Sequence, residues 1–112
     1  MFDFEKLEVY KKTKQYNIAV TGFLRQNKID RITYDQLRRA AFSIMLNIAE
    51  GTGRFTKPDK RNFYVIARGS AFECLAVFDY LRDMNAIKED EFQFFYSKLE
   101  EISKMLFALI NK

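Results

Sequence analysis

The chain has 112 residues, of which 48% are apolar and 16% aromatic, with four glycines and one proline. This length suits one domain, and the scarcity of turn-forming residues favours an all-α fold over a β-sandwich. The formal charge of +4, from 19 basic and 15 acidic side chains, permits an anionic partner without requiring one.

The sequence lacks histidine and contains a single cysteine, Cys74. Without histidine, the Glu-x-x-His di-iron pattern and the Ser-His or Cys-His nucleophile pairs are excluded, so we expect no enzyme, cofactor or metal site. One cysteine excludes an intrachain disulfide and favours a cytoplasmic protein. No apolar run approaches the roughly 18 residues of a membrane span, and the charged start lacks a signal-peptide core, so no membrane association is expected.

The first predicted helix runs from about Phe4 to Gln26. One face carries a core stripe of Val9, Thr13, Tyr16, Val20, Phe23 and Leu24. The opposite face is basic and consists of Lys11, Lys14 and Arg25, with Lys12 at its edge. Such a face is either ordinary solvated helix surface or a track for a nucleic-acid backbone.

The second predicted helix runs from Tyr34 or Asp35 to Glu50, with Thr33 or Asp35 as N-cap and Gly51 just beyond its end. Its core stripe is Leu37, Ala41, Ile44 and Ile48. Apolar residues also lie on the opposite face, namely Phe42, Leu46 and Ala49. A helix that is apolar on two sides has neighbours on two sides.

The third predicted helix begins at Pro58 and ends near Met84, and the fourth begins at Glu89. The third helix has a predicted core stripe of Phe63, Ala67, Ser70, Cys74, Val77 and Leu81. The fourth has Phe92, Phe95, Leu99, Ile102, Leu106 and Ile110. Small residues on the second and third helices predict that these two pair closely. With breaks near 26–33, 51–58 and 85–88, the pattern predicts one domain over residues 1–112, an antiparallel up-down-up-down four-helix bundle.

The second interhelical segment is rich in basic residues. Beside the aromatic Phe55 it carries Arg54, Lys57, Lys60 and Arg61. Free N–H groups at the start of the next helix make this a candidate phosphate cradle, although the Gly-Lys-Ser/Thr ending of a Walker loop is missing. The alternative interpretation is a solvated turn.

A polar strip divides the two apolar faces of the second helix. It comprises Arg39, Ser43, Asn47 and Glu50, with Glu73 on the flank of the third helix. Two carboxylates beside an arginine can act as a catalytic pair, but such groups between helices more commonly form a structural network, which is the interpretation we favour. Cys74 is assigned to core packing, since nothing basic lies near it on its face.

Apolar residues that point away from the core suggest an interface. The predicted set is Phe42, Leu46, Ala49, Val65 and Phe72. Self-association is the favoured interpretation, with a different partner or additional intrachain burial as alternatives.

Two runs, 37-LRRAAFSIMLNIAEGTGR-54 and 63-FYVIARGSAFE-73, and the opening 4-FEKLEVYKKTKQY-16, resemble a known family. It is the bacterial four-helix-bundle family named for reading frames in 23S rRNA intervening sequences, also labelled S23 ribosomal protein. The resemblance covers essentially the whole chain, and the motif positions include Arg39, Asn47, Glu50 and Glu73. An apparent relative, the accessory variability determinant of diversity-generating retroelements, is a pentameric ring that binds nucleic acid and a reverse transcriptase.

The resemblance implies a homo-oligomer, with a ring of five subunits as its specific form. Combined with the basic patches, it implies a non-enzymatic module that binds an RNA or DNA backbone. The alternative is a protein-interaction scaffold with no nucleic-acid role.

Overall fold

The computed structural model describes all 112 residues, and they form four α-helices. The helices are α1 (Glu8–Gln26), α2 (Arg31–Thr52), α3 (Lys57–Asp83) and α4 (Glu89–Ile110), preceded by a 3-10 turn at Asp3–Lys6. Each helix contacts the next along the chain, and α4 returns to α1 and closes the bundle. The predicted all-α four-helix bundle is confirmed. None of the helices combines the length and apolar character needed to span a bilayer.

Contacts between helices fix the antiparallel order. Ser43 on α2 faces Ser70 on α3 at 2.8 Å, whereas Gly51, later on α2, lies against Tyr64, earlier on α3. The same reversal relates α1 to α4. The molecule is therefore an elongated body of 44 × 25 × 22 Å with two distinct ends.

The start of α2 differs from the prediction. The helix begins at Arg31, three residues before Tyr34, because Asp30 is the N-cap. Its carboxylate accepts hydrogen bonds from the Thr33 backbone N–H at 2.9 Å and the Thr33 hydroxyl at 2.8 Å, and these bonds lower the pKa of Asp30. The prediction of Thr33 or Asp35 as the cap was wrong, since the acceptor lies one turn earlier.

The sequence predicts Gly51 just beyond the end of α2, but the residue lies inside the helix. A Cβ at this position would approach Tyr64 Cε1 to 2.7 Å and Phe63 Cβ to 3.1 Å. Glycine is therefore required by the close approach of α3 and not by a left-handed turn. The helix continues to Thr52. As predicted from their small residues, α2 and α3 make the most extensive contact in the bundle.

The predicted core stripe of α1 is buried along its whole length, but that of α3 is rotated. Phe63, Ser70 and Val77 are only half-buried, and the residue after each of them is buried in its place: Tyr64, Ala71 and Phe78. The rotation follows from aromatic packing. Phe78 stacks on Phe95 of α4 with ring centroids 4.4 Å apart, and Phe23 of α1 contacts both rings edge-on.

Candidate nucleic-acid interface

Charge is divided unequally between the two ends of the bundle. The loops that join α1 to α2 and α3 to α4 lie at one end, which we call the acidic end (residues 25–35 and 79–91). It carries seven acidic and five basic side chains. Because the whole chain has a net charge of +4, all of the positive excess lies in the remainder of the molecule, which we call the basic body.

Two of the predicted phosphate ligands in the loop region hold helix ends. The Lys60 ammonium donates to the Thr52 carbonyl oxygen at 2.9 Å, and Arg61 Nε donates to the Ile110 carbonyl oxygen at 3.1 Å. These carbonyls lie at the C-terminal ends of α2 and α4, where a cation is favoured by the helix dipole. Lys60 and Arg61 thus cap the C-terminal ends of two helices, a role that the sequence pattern did not predict.

The other members of the predicted loop patch are more open. The Arg54 guanidinium lies over the Phe63 ring at 4.5 Å and pairs with Glu50 at 4.0 Å. Lys57 is exposed and pairs with no carboxylate. Phe55 is fully exposed at the tip of the loop. The loop therefore offers one free lysine and one free aromatic ring at the end opposite the acidic end.

The predicted basic face of α1 is divided between two grooves. Lys11 and Lys12 line a groove of about 460 Å³ between α1 and α4, together with Lys98. Lys14 and Arg25 line a second groove, of about 580 Å³, between α1 and α2. The four cations of α1 therefore do not form one continuous track.

Ion pairs engage some of these cations on the surface. Lys11 lies 3.5 Å from Glu8, and Lys12 lies 3.4 Å from Glu101 of α4. The Lys11–Glu8 pair is mostly exposed and the Lys12–Glu101 pair is about half exposed, and exposed pairs contribute little to stability and are readily exchanged for other partners. They do not prevent either lysine from meeting a phosphate.

The predicted polar network is smaller than expected. Asn47 Nδ2 donates to the Ser43 carbonyl at 2.8 Å and to its hydroxyl at 3.1 Å, and that hydroxyl faces Ser70 across the α2–α3 contact. Arg39, Glu50 and Glu73 are instead exposed.

A paired-carboxylate site is disfavoured by the register of α2 and α3. Glu50 lies almost level with Tyr64, since the neighbouring Gly51 contacts that ring. Tyr64 precedes Glu73 by about 13 Å of helix rise. The two carboxylates are therefore too far apart along the bundle to act on one bond.

A second polar feature, not predicted from the sequence, lies in the core between α1 and α2. Asn17 is buried, and its Nδ2 donates to the Ala41 carbonyl at 2.9 Å and the Thr13 carbonyl at 3.0 Å. Nearby, burial raises the pKa of the Tyr16 hydroxyl well above its usual value and that of the Cys74 thiol to about 12. In the sequence, the signal for this hydrogen bond was the position of Asn17, a polar residue beside the apolar stripe of α1.

The predicted interface residues do not share one surface. Phe42 lines the groove between α1 and α2, whereas Phe72 lines two grooves between α3 and α4. Leu46 and Val65 are exposed by 53% and 46%, and Ala49 is half-buried. The exposed apolar residues are thus distributed around α2 and α3 and do not form a single strip.

Fold and surface together define a small helical bundle with segregated charge. Residues 5–108 match the profile of the family described as 23S rRNA-intervening sequence protein, and the chain belongs to that family.

One solved structure is similar over nearly the whole chain. It is the 1.70 Å crystal structure of a protein with unknown function from the S23 ribosomal protein family of Bacteroides thetaiotaomicron VPI-5482, with a TM-score of 0.87. The two share 22% sequence identity, and the similarity covers 93% of this chain and 99% of that chain. The TM-score demonstrates the common fold. No curated protein matches the chain significantly.

Proposed function

We propose that the protein is a non-enzymatic, oligomeric module that binds the backbone of RNA or DNA through its basic body. The observation that carries this proposal is the charge segregation, which concentrates the whole positive excess of the chain away from the acidic end. A cationic surface neutralises phosphates and releases counterions, a sequence-independent source of affinity. The acidic end repels phosphate and limits binding to the rest of the molecule.

A binding role is also supported by the state of the one thiol. Cys74 is fully buried, and its raised pKa of about 12 keeps it protonated and poorly nucleophilic. The chain contains no histidine to act as its base. The nearby Tyr16 hydroxyl is equally enclosed, so neither group reaches a substrate.

Oligomerisation belongs to the same proposal. One copy presents few free cations, and each exposed lysine contributes only modestly to affinity. An assembly repeats the basic body several times, and linked sites gain from effective concentration. The exposed apolar side chains on α2 and α3, especially Leu46 and Val65, supply the contact surface.

Fluorescence anisotropy at two salt concentrations tests the proposal, with a single-stranded RNA, an RNA duplex and a DNA duplex as probes. We expect binding that falls with salt, with a log–log slope of about −0.9 per phosphate neutralised on a duplex and −0.7 on a single strand. Absence of binding at low salt to all three probes would refute it.

Matched variants locate the binding surface. Lys14→Glu combined with Lys57→Glu alters two exposed lysines of the basic body and should weaken binding and flatten the salt slope. Lys28→Glu combined with Lys88→Glu makes the same charge change at the acidic end. If the second pair weakens binding as much as the first, the effect is one of net charge alone, and the basic body is not the binding surface.

The protein-scaffold alternative is favoured by one observation on the α3–α4 side. The Arg68 guanidinium lies between two exposed rings, 4.9 Å from the centroid of Phe72 and 5.3 Å from that of Phe107. Arginine and aromatic side chains are enriched at protein interfaces. Loss of a protein partner in an Arg68→Ala variant, with no binding of the native protein to nucleic acid at low salt, would support this alternative.

A further inference from the structure

The groove between α1 and α4 combines positive charge with an apolar floor. The α1 side of the groove carries Lys11 and Lys12, and the α4 side carries Lys98. Glu101 of α4 is the single carboxylate that lines it. Its apolar floor includes the buried Tyr16 and Ile102 and the half-buried Ala19, and the more exposed Ile18 and Phe94 also line the groove. The volume of about 460 Å³ falls within the range of about 300–1,000 Å³ that small-ligand sites occupy.

The aromatic ring in this groove is accessible. Phe94 is 46% exposed, and the Lys98 ammonium lies over its ring at 5.5 Å from the centroid. That cation–π contact is weak at an exposed site, and the four-carbon lysine stem allows the ammonium to leave the ring for a phosphate. The ring face then becomes free for a planar ligand.

Charge along the groove changes sign at Phe94. Beyond this ring the same groove continues between α1 and α4 past Gly22 and Gln26, and there it is flanked by Asp90 and Glu91 of the acidic end. A polyanion is therefore favoured on the lysine side and repelled on the other. From Lys11 to Ile18 the favourable part of the groove is about 10 Å long, at 1.5 Å of helix rise per residue. This length has room for about one or two nucleotides.

We propose that the α1–α4 groove is a binding site for a single-stranded nucleotide unit, with its phosphate on Lys11, Lys12 and Lys98 and its base stacked on Phe94. This inference rests on the proposed function and adds to it a location and a substrate class. A base inside a duplex is already stacked on its neighbours and is not free to stack on a protein ring. Single strands present unstacked bases, and aromatic side chains bind them with little regard to sequence.

An acidic amphipathic peptide is the other ligand that cations over an apolar floor would attract. The groove favours the nucleotide because its apolar floor is short and is interrupted by Gln15, Lys12 and Glu101. A docked helix needs a continuous apolar stripe over several turns.

Chemical-shift mapping of the native protein tests the site directly. Single-stranded oligouridylate, adenosine monophosphate and a Glu-rich amphipathic peptide are titrated separately into labelled protein. We expect the amides of Lys12, Ala19 and Phe94, which line this groove and not the α1–α2 groove, to shift with the oligonucleotide, and more weakly with the mononucleotide. Shifts confined to the α1–α2 groove, or shifts at Phe94 only with the peptide, would overturn the assignment.

Matched variants on α4 give a second test. Phe94→Ala should weaken single-stranded RNA binding by about 5- to 150-fold, the range found for loss of one base stack, and should leave duplex binding unchanged. Phe107→Ala removes an exposed ring from the α3 side of the same helix and is the control.

The lysine contact has its own pair of variants. Lys98→Glu should reduce the salt slope of RNA binding by about 0.7, and Lys104→Glu, on the α3 side, by less.

The outcomes separate this inference from the proposed function. If the native protein binds RNA but Phe94→Ala and Phe107→Ala are equivalent, the groove is not the site, whereas backbone binding by the basic body stands. If the native protein binds no nucleic acid at low salt, both proposals fail. Circular dichroism melting of each variant confirms that the bundle remains folded.

Discussion

Asn17 joins two helices through an amide in the core, where Thr13 is the other buried polar residue. Asn17→Ala should lower the free energy of unfolding by about 1 kcal/mol, because one cross-helix hydrogen bond to Ala41 is lost. Asn17→Asp should cost several times more, since a buried carboxylate would face two carbonyl oxygens without a donor. Urea unfolding measures both variants. Equal losses would mean that the side chain is solvated and not enclosed.

Cys74 gives the stability of the fold a dependence on alkaline pH. In the unfolded chain the thiol ionises near its ordinary pKa of 9.0, whereas burial raises the folded value to about 12. The unfolded state therefore releases the proton first, so the stability contributed by the protonated thiol is fully present below pH 9 and is lost as pH rises toward 12. We expect the urea midpoint to fall across this interval.

Comparison with Cys74→Ala measures that contribution together with the smaller effect of Cys74 on the pKa of Tyr16. The variant leaves a small cavity and is less stable below pH 9, but its urea midpoint should fall less steeply above pH 9. The remaining slope includes Tyr16, whose hydroxyl pKa is also raised by burial. If the urea midpoints of native and variant protein fall in parallel above pH 9, the thiol has the same pKa in the folded and unfolded states, and the argument fails.

At the scale of the elements, α2 and α3 depend on the absence of a side chain at Gly51. Gly51→Ala should destabilise the bundle by about 1–3 kcal/mol, because a Cβ would meet Tyr64 at 2.7 Å and force the helices apart. Gly69→Ala is the matched control. It lies mid-helix on α3 with no atom within 4 Å of the added Cβ, so it should stabilise by about 0.5–1 kcal/mol. Thermal unfolding should move in opposite directions for the two variants.

Helices were predictable from periodicity, but their exact rotation and ends were not. The stripe of α1 was read correctly, and that of α4 except for the half-buried Ile110 at its end, because one face of each helix is strongly apolar. On α3 both Phe63 and Tyr64 suit a core position, and the choice is made by packing against neighbouring helices. The start of α2 was ambiguous because Asp30, Thr33 and Asp35 can all cap a helix, and only the hydrogen bonds to Asp30 decide it.

At the scale of the whole molecule, the basic residues were identifiable but their grouping was not. Charge segregation requires knowing that two loops distant in sequence share one end of the bundle. Lys98 joins Lys11 and Lys12 only through the return of α4 to α1. Lys60 and Arg61 were predicted as phosphate ligands, yet the carbonyls that they bind belong to helix ends that no local pattern places beside them.

The α1–α4 groove and the predicted assembly surface lie on different sides of the bundle. Helices α2 and α3 form the closest pair, and α1 and α4 lie opposite them. An assembly formed through the outer surfaces of α2 and α3 would leave the groove open in every copy. Phe42 and Phe72 are exceptions among the predicted interface residues, because Phe42 lines the α1–α2 groove and Phe72 faces α4.

Light scattering on size-fractionated protein tests the assembly. The native protein should have a mass several times the chain's 13.3 kDa, five times in the ring that the family resemblance implies. Leu46→Glu should release smaller species that remain helical, because a carboxylate without a partner at an apolar contact is costly. Ile32→Glu changes a more exposed residue of the same helix, at the acidic end, and should leave the mass unaltered.

If Phe72→Glu alone dissociates the protein, the contact runs through the α3–α4 side. A native mass of 13.3 kDa at micromolar concentration and above would contradict self-association.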